Sequence, residues 1–245
     1  MPNDQDLRLF PGLDQSDSLV QEDRPIGSIR RIEVRGAIDV FITRSANPRM
    51  VVAGDTAESV NSVRTTVHGD KLVIDGAGGS SVVIDNGRVS IIATGGSIAA
   101  GGDVCINGNR VVVTGGVVIG AGGRAAVALA LPLVPDVRIQ GAGDVTIRDA
   151  RQEALSIDVM GSGDVTADGS VVTLTARVMG SGDVNAEDLA AQHVTLDVAG
   201  SGDIVAFARV SARACVAGSG DIRVYGNPPD RDESVAGSGR VKFCR

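Results

Sequence analysis

The stretch GSGDVTADGSVVTLTARVMGSGDV (residues 161–184) decides the fold, because it opens and closes on the same phrase, Gly-Ser-Gly-Asp-Val. The Gly-x-Gly phrase begins at six positions, Gly141, Gly161, Gly180, Gly200, Gly218 and Gly237. The intervals between them are 20, 19, 20, 18 and 19 residues. A period near 20 residues indicates one small structural unit stacked on copies of itself.

Apolar and polar residues alternate within each repeat, which is typical of half-buried strands. The position after each four-residue phrase is apolar: Val145, Val165, Val184, Ile204, Ile222 and Val241. A second alternating run, such as Leu155, Ile157 and Val159, precedes the next phrase. We therefore predict an all-β fold, a single-stranded parallel β-helix with coils of roughly 19 residues. Val165, Val184 and Ile204 are expected to stack inside it.

The glycines of the phrase are predicted to turn the chain between strands. Glycine adopts positive φ without a Cβ penalty, so positive φ is expected at the second glycine of most repeats. The predicted structural turn positions are Gly161, Gly163, Gly180, Gly182, Gly200, Gly202, Gly218 and Gly220.

The repeated Gly-Ser-Gly-Asp-Val/Ile phrase resembles the head GIN domain, a family described as an autotransporter adhesin head. Residues 29–75 resemble the N-terminal section of that family, and LPLVPDVRIQGAGDV (residues 131–145) resembles its entry into the repeats. The resemblance covers roughly residues 28–245 and implies a β-helix with an adhesive role. It also implies a periplasmic or cell-surface location.

The chain divides by composition into an N-terminal arm and one long domain. Residues 1–27 are acidic and contain prolines, which predicts a flexible arm. Residues 28–75 are expected to form strands and a hairpin, 76–140 Gly-rich strands, and 141–245 the repeats. Residues 76–124 either continue the coils or project as a hairpin, for which Asn107-Gly108 is a strong turn signal. A projecting hairpin would be a contact surface.

Charge and composition exclude several classes of function. The net charge is −7, and no basic stripe is present to neutralise phosphates, which argues against nucleic acid and an anionic membrane surface. No apolar run is long enough for a membrane span. Residues 1–27 hold no apolar signal-peptide core, so a cytoplasmic location stays open beside the exported one. Cys105, Cys215 and Cys244 form no Cys-x-x-Cys pair, so neither zinc nor a redox pair is predicted.

An aspartate follows the second glycine in five of the six phrases: Asp144, Asp164, Asp183, Asp203 and Asp221, with Asp39 and Asp103 as earlier members of the column. These aspartates are candidate calcium ligands, but one carboxylate per coil is few for a cation that takes six to eight oxygens. The favoured role is structural, with each carboxylate accepting from backbone N–H groups of its glycine turn. No metal or cofactor is therefore expected. The last phrase has Arg240 instead, which with Lys242 and Arg245 charges the final edge.

Catalysis is not expected. Five equivalent serines, Ser162, Ser181, Ser201, Ser219 and Ser238, lie in Gly-Ser-Gly turns and indicate a scaffold. The available bases, His68 and His193, are interpreted as surface or turn histidines. Polysaccharide cleavage, frequent among β-helices, usually needs aromatic platforms, for which Tyr225 and Phe207 are the candidates.

The sequence thus predicts a non-enzymatic β-helical adhesion, display or binding module that contacts a protein or glycan surface. The alternative is an intracellular scaffold that stacks β-helix ends into oligomers. Nucleic-acid binding and membrane insertion are not expected, and a homo-oligomer stays open.

Overall fold

The structure is a computed structural model that describes residues 20–76 and 125–244, together with the backbone of six strands between residues 79 and 119. The first part comprises β1 (Val20–Arg24), β2 (Arg31–Gly36), β3 (Asp39–Arg44), β4 (Arg49–Gly54), α1 (Ala57–Ser62), β5 (Arg64–His68) and β6 (Lys71–Gly76). The middle part comprises β7 (Gly79–Asp85), β8 (Arg88–Thr94), β9 (Ile98–Ala100), β10 (Val104–Asn107), β11 (Arg110–Val113) and β12 (Val117–Ile119). The last part comprises β13 (Ala125–Leu131), β14 (Asp136–Gly141), β15 (Val145–Val159), β16 (Val165–Val178), β17 (Val184–Val198), β18 (Ile204–Val216), β19 (Ile222–Tyr225), β20 (Asp230–Val235) and β21 (Val241–Phe243).

Strands β15 to β18 lie side by side in parallel, and each pairs with the strand one repeat away. Val145 pairs with Val165, Val165 with Val184, and Val184 with Ile204. All four side chains are buried. The predicted parallel stacking of these residues inside the fold is confirmed, and the described part of the chain is all-β apart from one short helix.

Each of the three strands β15 to β17 has an irregular register after its first few residues, such as the shift between Ile147 and Ala150 in β15. Residues before the shift form a first run (residues 145–147 in β15), and those near the strand's end form a second run (155–159 in β15). The first run of β15 pairs with β3, whereas the second pairs with β14. Inward side chains of both runs belong to one buried cluster. These consecutive long parallel strands fit a β-helix.

Helix α1 packs on β1 and β4, and an arginine of β1 bonds to its C-terminal end. Thr56 and Ser59 form a capping box at the start of α1, and Val60 is buried in the main core. The Arg24 guanidinium donates to the carbonyls of Val60 (3.2 Å) and Val63 (2.7 Å). This helix lies where the sequence predicts only strands.

Strand β1 corrects the predicted boundary of the arm. Val20–Arg24 pairs antiparallel with β4 across its whole length, so the prediction of a flexible arm is wrong for residues 20–24. The pairing depends on the backbone of β4, and therefore the acidic composition of the segment does not reveal it. Residues 1–19 lie outside the described part.

Strand β20 carries charges where its neighbour β18 carries core residues. Arg231 pairs with buried Ala212, and Glu233 pairs with buried Ala214. The Arg231 guanidinium lies 4.9 Å from the centre of the Phe243 ring, and Phe243 packs against the core. Charged residues at inward positions protect a sheet end from further pairing.

The strands between residues 79 and 119 pair with one another and not with the described strands of the main sheet. β7 pairs with β8, β9 with β12, and β10 with β11, all antiparallel. Asn107 pairs with Arg110, so β10 and β11 lie antiparallel on either side of this turn signal. This antiparallel pairing differs from the parallel pairing of β15 to β18.

The prediction of positive φ at the second glycine of most repeats is wrong. None of the eight predicted turn glycines has φ in the left-handed region. Instead, a Cβ built on any of them would lie 2.0–2.2 Å from the carbonyl oxygen of the equivalent glycine in the preceding coil. At Gly182 the obstacle is the Gly163 oxygen at 2.1 Å. The glycines thus allow close approach of two backbones, which is the second reason for choosing glycine.

We predict that Gly182→Ala destabilises the protein by at least about 2 kcal/mol, because the new methyl group overlaps a backbone oxygen that cannot move alone. The measurement is the free energy of unfolding in denaturant. Gly27→Ala is the matched control, since no atom lies within 4 Å of a Cβ at that position. Equal stabilities of the two variants would contradict the close-approach explanation.

Candidate functional site

The aspartates of the repeats form a hydrogen-bonded ladder between coils. Each Oδ1 atom accepts from the backbone N–H of the equivalent residue in the next coil. The N···O distances along the ladder are 3.2 Å for Asp39 to Asp144, 2.9 Å for Asp144 to Asp164, 2.8 Å for Asp164 to Asp183, 2.7 Å for Asp183 to Asp203, 2.7 Å for Asp203 to Asp221 and 2.9 Å for Asp221 to Arg240. Asp103 lies outside the described residues.

The partner of each carboxylate differs from the expectation. The sequence predicts that an aspartate bonds its own glycine turn, whereas the structure joins it to the following coil. The backbone adds a reciprocal bond, since Val145 N–H donates to the Asp164 carbonyl at 2.8 Å. The five calcium candidates are therefore arranged in single file. Within the described residues, no group of three or more His, Cys, Asp or Glu is placed to hold a metal ion.

We predict that Asp183→Ala lowers the free energy of unfolding by about 1 kcal/mol, because the Asp203 amide loses its acceptor at an exposed site. Asp183→Asn keeps an oxygen there and is expected to restore most of the loss. Thermal unfolding of both variants measures the effect, with Asp188→Ala as a control for removal of an exposed carboxylate.

Millimolar calcium is expected to leave the unfolding temperature of the wild-type chain unchanged. A ligand bound only by the folded state would raise it by mass action. A calcium-dependent rise that Asp183→Ala abolishes would contradict the structural role of the ladder.

The serines of the repeats are exposed turn residues, and their backbone N–H groups donate to the preceding coil. The histidine–serine contact of the structure instead involves Ser211, which lies outside the phrase. Its Oγ is 2.8 Å from His193 Nδ1. His68 lies at the β5–β6 turn, as predicted.

A groove of about 590 Å³ opens beside this histidine–serine pair. On neighbouring strands Thr173 pairs with His193, His193 with Ser211, and Ser211 with Asp230. These four residues therefore form one column across the sheet. Thr195, Arg213 and Asp232 form the next column in the same way. Pro229 and Arg231 line the groove at its C-terminal side. We call this feature the His193 groove.

The His193 groove lies next to a break in the repeat pattern. β18 runs unbroken from Ile204 to Val216, whereas the equivalent stretch divides into β19 and β20. Gly226 (φ 93°) and Asn227 (φ 51°) turn the chain there, ahead of two prolines. Arg231 fixes the break by donating to the Asn227 side chain at 2.6 Å and to the Pro228 carbonyl at 2.8 Å.

The charged side chains of the His193 groove are accessible. Arg213 donates to Asp232 at 2.8 Å, and their side chains are 70% and 63% exposed. Among the described residues, Asp230 has no ion-pair or hydrogen-bond partner for its carboxylate. The groove therefore presents free donors and free acceptors side by side. Sequence reasoning missed it, although the Pro228-Pro229 pair marks the break in the alternating pattern.

A second charged feature crosses the outer surface of the second runs. Side chains of alternating sign occupy one column of register partners, namely Glu33, Arg138, Asp158, Arg177 and Asp197. Arg138 pairs with Asp158 at 3.0 Å and Arg177 with Asp197 at 3.3 Å. These cross-strand pairs favour the observed register, since a slip would separate each pair of opposite charges.

Glu33 is the buried member of that column. Hydrogen bonds from Lys71 and Arg35 hold the pKa of its carboxyl below the ordinary value, against the opposing effect of burial. Its two oxygens are thus engaged by two cations, and this carboxylate is not free for a ligand.

The fold and the surface define a class of protein: an all-β stack that carries an open polar groove at one end. The sequence model of the family "Putative auto-transporter adhesin, head GIN domain" matches residues 29–228. The chain belongs to this head GIN domain family. No curated protein matches the sequence.

Solved structures share the fold. A "putative adhesin" from Bacteroides fragilis superposes with a TM-score of 0.61 at 20% identity, covering 95% of this chain and 100% of the other. A "Putative lipid binding protein" from Parabacteroides distasonis gives a TM-score of 0.53 at 17% identity, covering 94% and 98%. Among the described residues, no helix has the length and hydropathy of a membrane span.

Proposed function

We propose that this chain is a non-enzymatic binding module of the adhesin-head type, built as a parallel β-helix and using the His193 groove as its contact site. In this proposal each of β15 to β18 is one coil, and the strands and α1 of residues 20–76 close its N-terminal end. The observation that carries the proposal is an open polar groove on a stack whose other turns are repetitive. Departures from a repeat are where functional features are expected.

The order of side chains in the groove supports binding over catalysis. In a catalytic triad the histidine lies between the serine and the carboxylate, so that the carboxylate orients the imidazole. Here Ser211 lies between His193 and Asp230, and the neighbour on the other side of His193 is Thr173. Asp230 is therefore placed beside the serine and not behind the histidine.

We predict saturable binding of the purified chain to a glycan or protein surface, without turnover of glycosidase or esterase substrates. Ser211→Ala and His193→Ala are expected to weaken binding in steps, because contacts are spread along the groove. A glycan array, a cell-surface binding assay and a substrate panel make the measurement. Ser162→Ala, an exposed serine of a repeat turn, is the control. Turnover that Ser211→Ala abolishes would refute the binding role.

The C-terminal coil argues against the alternative, a scaffold of end-to-end stacked copies. A second copy stacked on β20 would meet Arg231 and Glu233 at positions that hold core alanines one coil earlier. Desolvating these two charges without new partners is costly. The same residues suit a module that works as a separate unit.

We predict that replacing both charges, Arg231→Leu with Glu233→Leu, promotes self-association through this end. The substitution leaves the net charge unchanged and exposes an apolar sheet end. Sedimentation velocity at increasing concentration measures the effect. Arg209→Leu with Asp188→Leu, on the side of the stack, is the matched control. Filaments of the wild-type chain that dissociate in the double variant would favour the scaffold.

A further inference from the structure

We infer that the His193 groove takes an uncharged saccharide segment, held through its hydroxyl groups by Arg213, Asp230, Ser211 and Thr195. This inference rests on the proposed binding function and adds the chemical class of the ligand. It follows from the arrangement of donors, acceptors and charges on the groove's surface.

The first step concerns hydrogen bonding. The Arg213 guanidinium has five N–H donors, and of these Nε donates to Asp232. The Asp230 carboxylate offers acceptors without donors, while the hydroxyls of Ser211 and Thr195 offer both. A sugar hydroxyl is at once a donor and an acceptor, so it can join an arginine N–H to a neighbouring carboxylate. Parallel strands repeat such groups at about 4.8 Å, so donors and acceptors follow one another along the groove.

The second step concerns charge. Arg213 and Asp232 pair with each other and their formal charges cancel, while Asp230 adds a carboxylate without an ion pair among the described residues, and the Arg231 guanidinium lies on the Phe243 ring. An acidic ligand would approach the unpaired Asp230, and a cationic one would approach the exposed Arg213. Each would lose part of its attraction to the opposite group. A neutral polyhydroxylated ligand meets neither penalty.

The third step concerns apolar surface. Protein partners are usually anchored by aromatic or aliphatic side chains that enter apolar pockets. None of the large exposed apolar side chains of the described residues lines this groove. The groove therefore fits a polar ligand better than an apolar protein anchor.

The test uses the imidazole of His193 as a local reporter. The chain contains two histidines, and the other, His68, lies in the β5–β6 turn away from the groove residues. Histidine ring signals are followed by NMR while the full chain is titrated with neutral hexose and N-acetylhexosamine oligosaccharides. Trigalacturonate is the acidic comparison, and a glucosamine trimer is the basic one. We expect a neutral oligosaccharide to shift the His193 signals saturably and to leave those of His68 unchanged.

Variants separate contact from folding. Asp230→Asn and Arg213→Lys keep the shape of the groove. Each is expected to lower the affinity for the neutral saccharide at least about tenfold, since each disturbs a charge-assisted hydrogen bond. Asp188→Ala is expected to bind as the wild type. An unchanged free energy of unfolding shows that a loss of affinity is local.

The outcomes are distinct. No His193 shift with any neutral oligosaccharide, or tighter binding of trigalacturonate or the glucosamine trimer, overturns the inference. Glycan or protein binding elsewhere on the chain, with the His193 signals unmoved, overturns the inference and leaves the binding function standing. A chain that binds no glycan, protein or cell surface removes the binding function itself.

Discussion

The structure depends on the close approach of one coil's backbone to the next at the glycine turns. The carbonyl oxygen of each glycine takes the place that a Cβ of the glycine above it would need, at 2.0–2.2 Å. The first glycine of a phrase also accepts two N–H bonds from the next coil, as Gly161 does from Ser181 (3.0 Å) and Gly182 (3.2 Å). Any side chain at these positions would force the turns apart, and with them the strands on both sides.

Other features follow from the close spacing of successive glycine turns. Because the turns are in register, an aspartate such as Asp164 can reach the amide of Asp183 in the next coil, and the ladder continues hydrogen bonding where strand pairing stops. The inward valines meet their equivalents for the same reason. The same regularity makes the exception visible: the interruption at residues 226–229 borders the His193 groove, and Arg231 and Glu233 of β20 pair with buried alanines of β18.

The alternation of valine and polar residues was sufficient to predict the parallel strands, because burial and strand geometry impose the same period of two. The glycines were identified correctly as special but for the wrong reason, since positive φ and close approach select the same residue.

The histidine–serine pair could not be placed from the repeat period alone. Intervals of 18 to 20 residues leave the partner of His193 undetermined until the register shift between Ala191 and His193 is known. Strand β1 was missed because its partner, β4, lies about 30 residues away and no local pattern reports such pairing.

Amide hydrogen exchange in the glycine turns is the most direct measurement of the central claim. If the turns are held by the preceding coil, the amides of Ser181, Gly182 and Asp183 exchange as slowly as strand amides such as that of Val184. The Gly69 amide in the β5–β6 turn then exchanges far faster. If Ser181, Gly182 and Asp183 exchange at the rate of Gly69, the turns are ordinary loops and the account of the stack is contradicted.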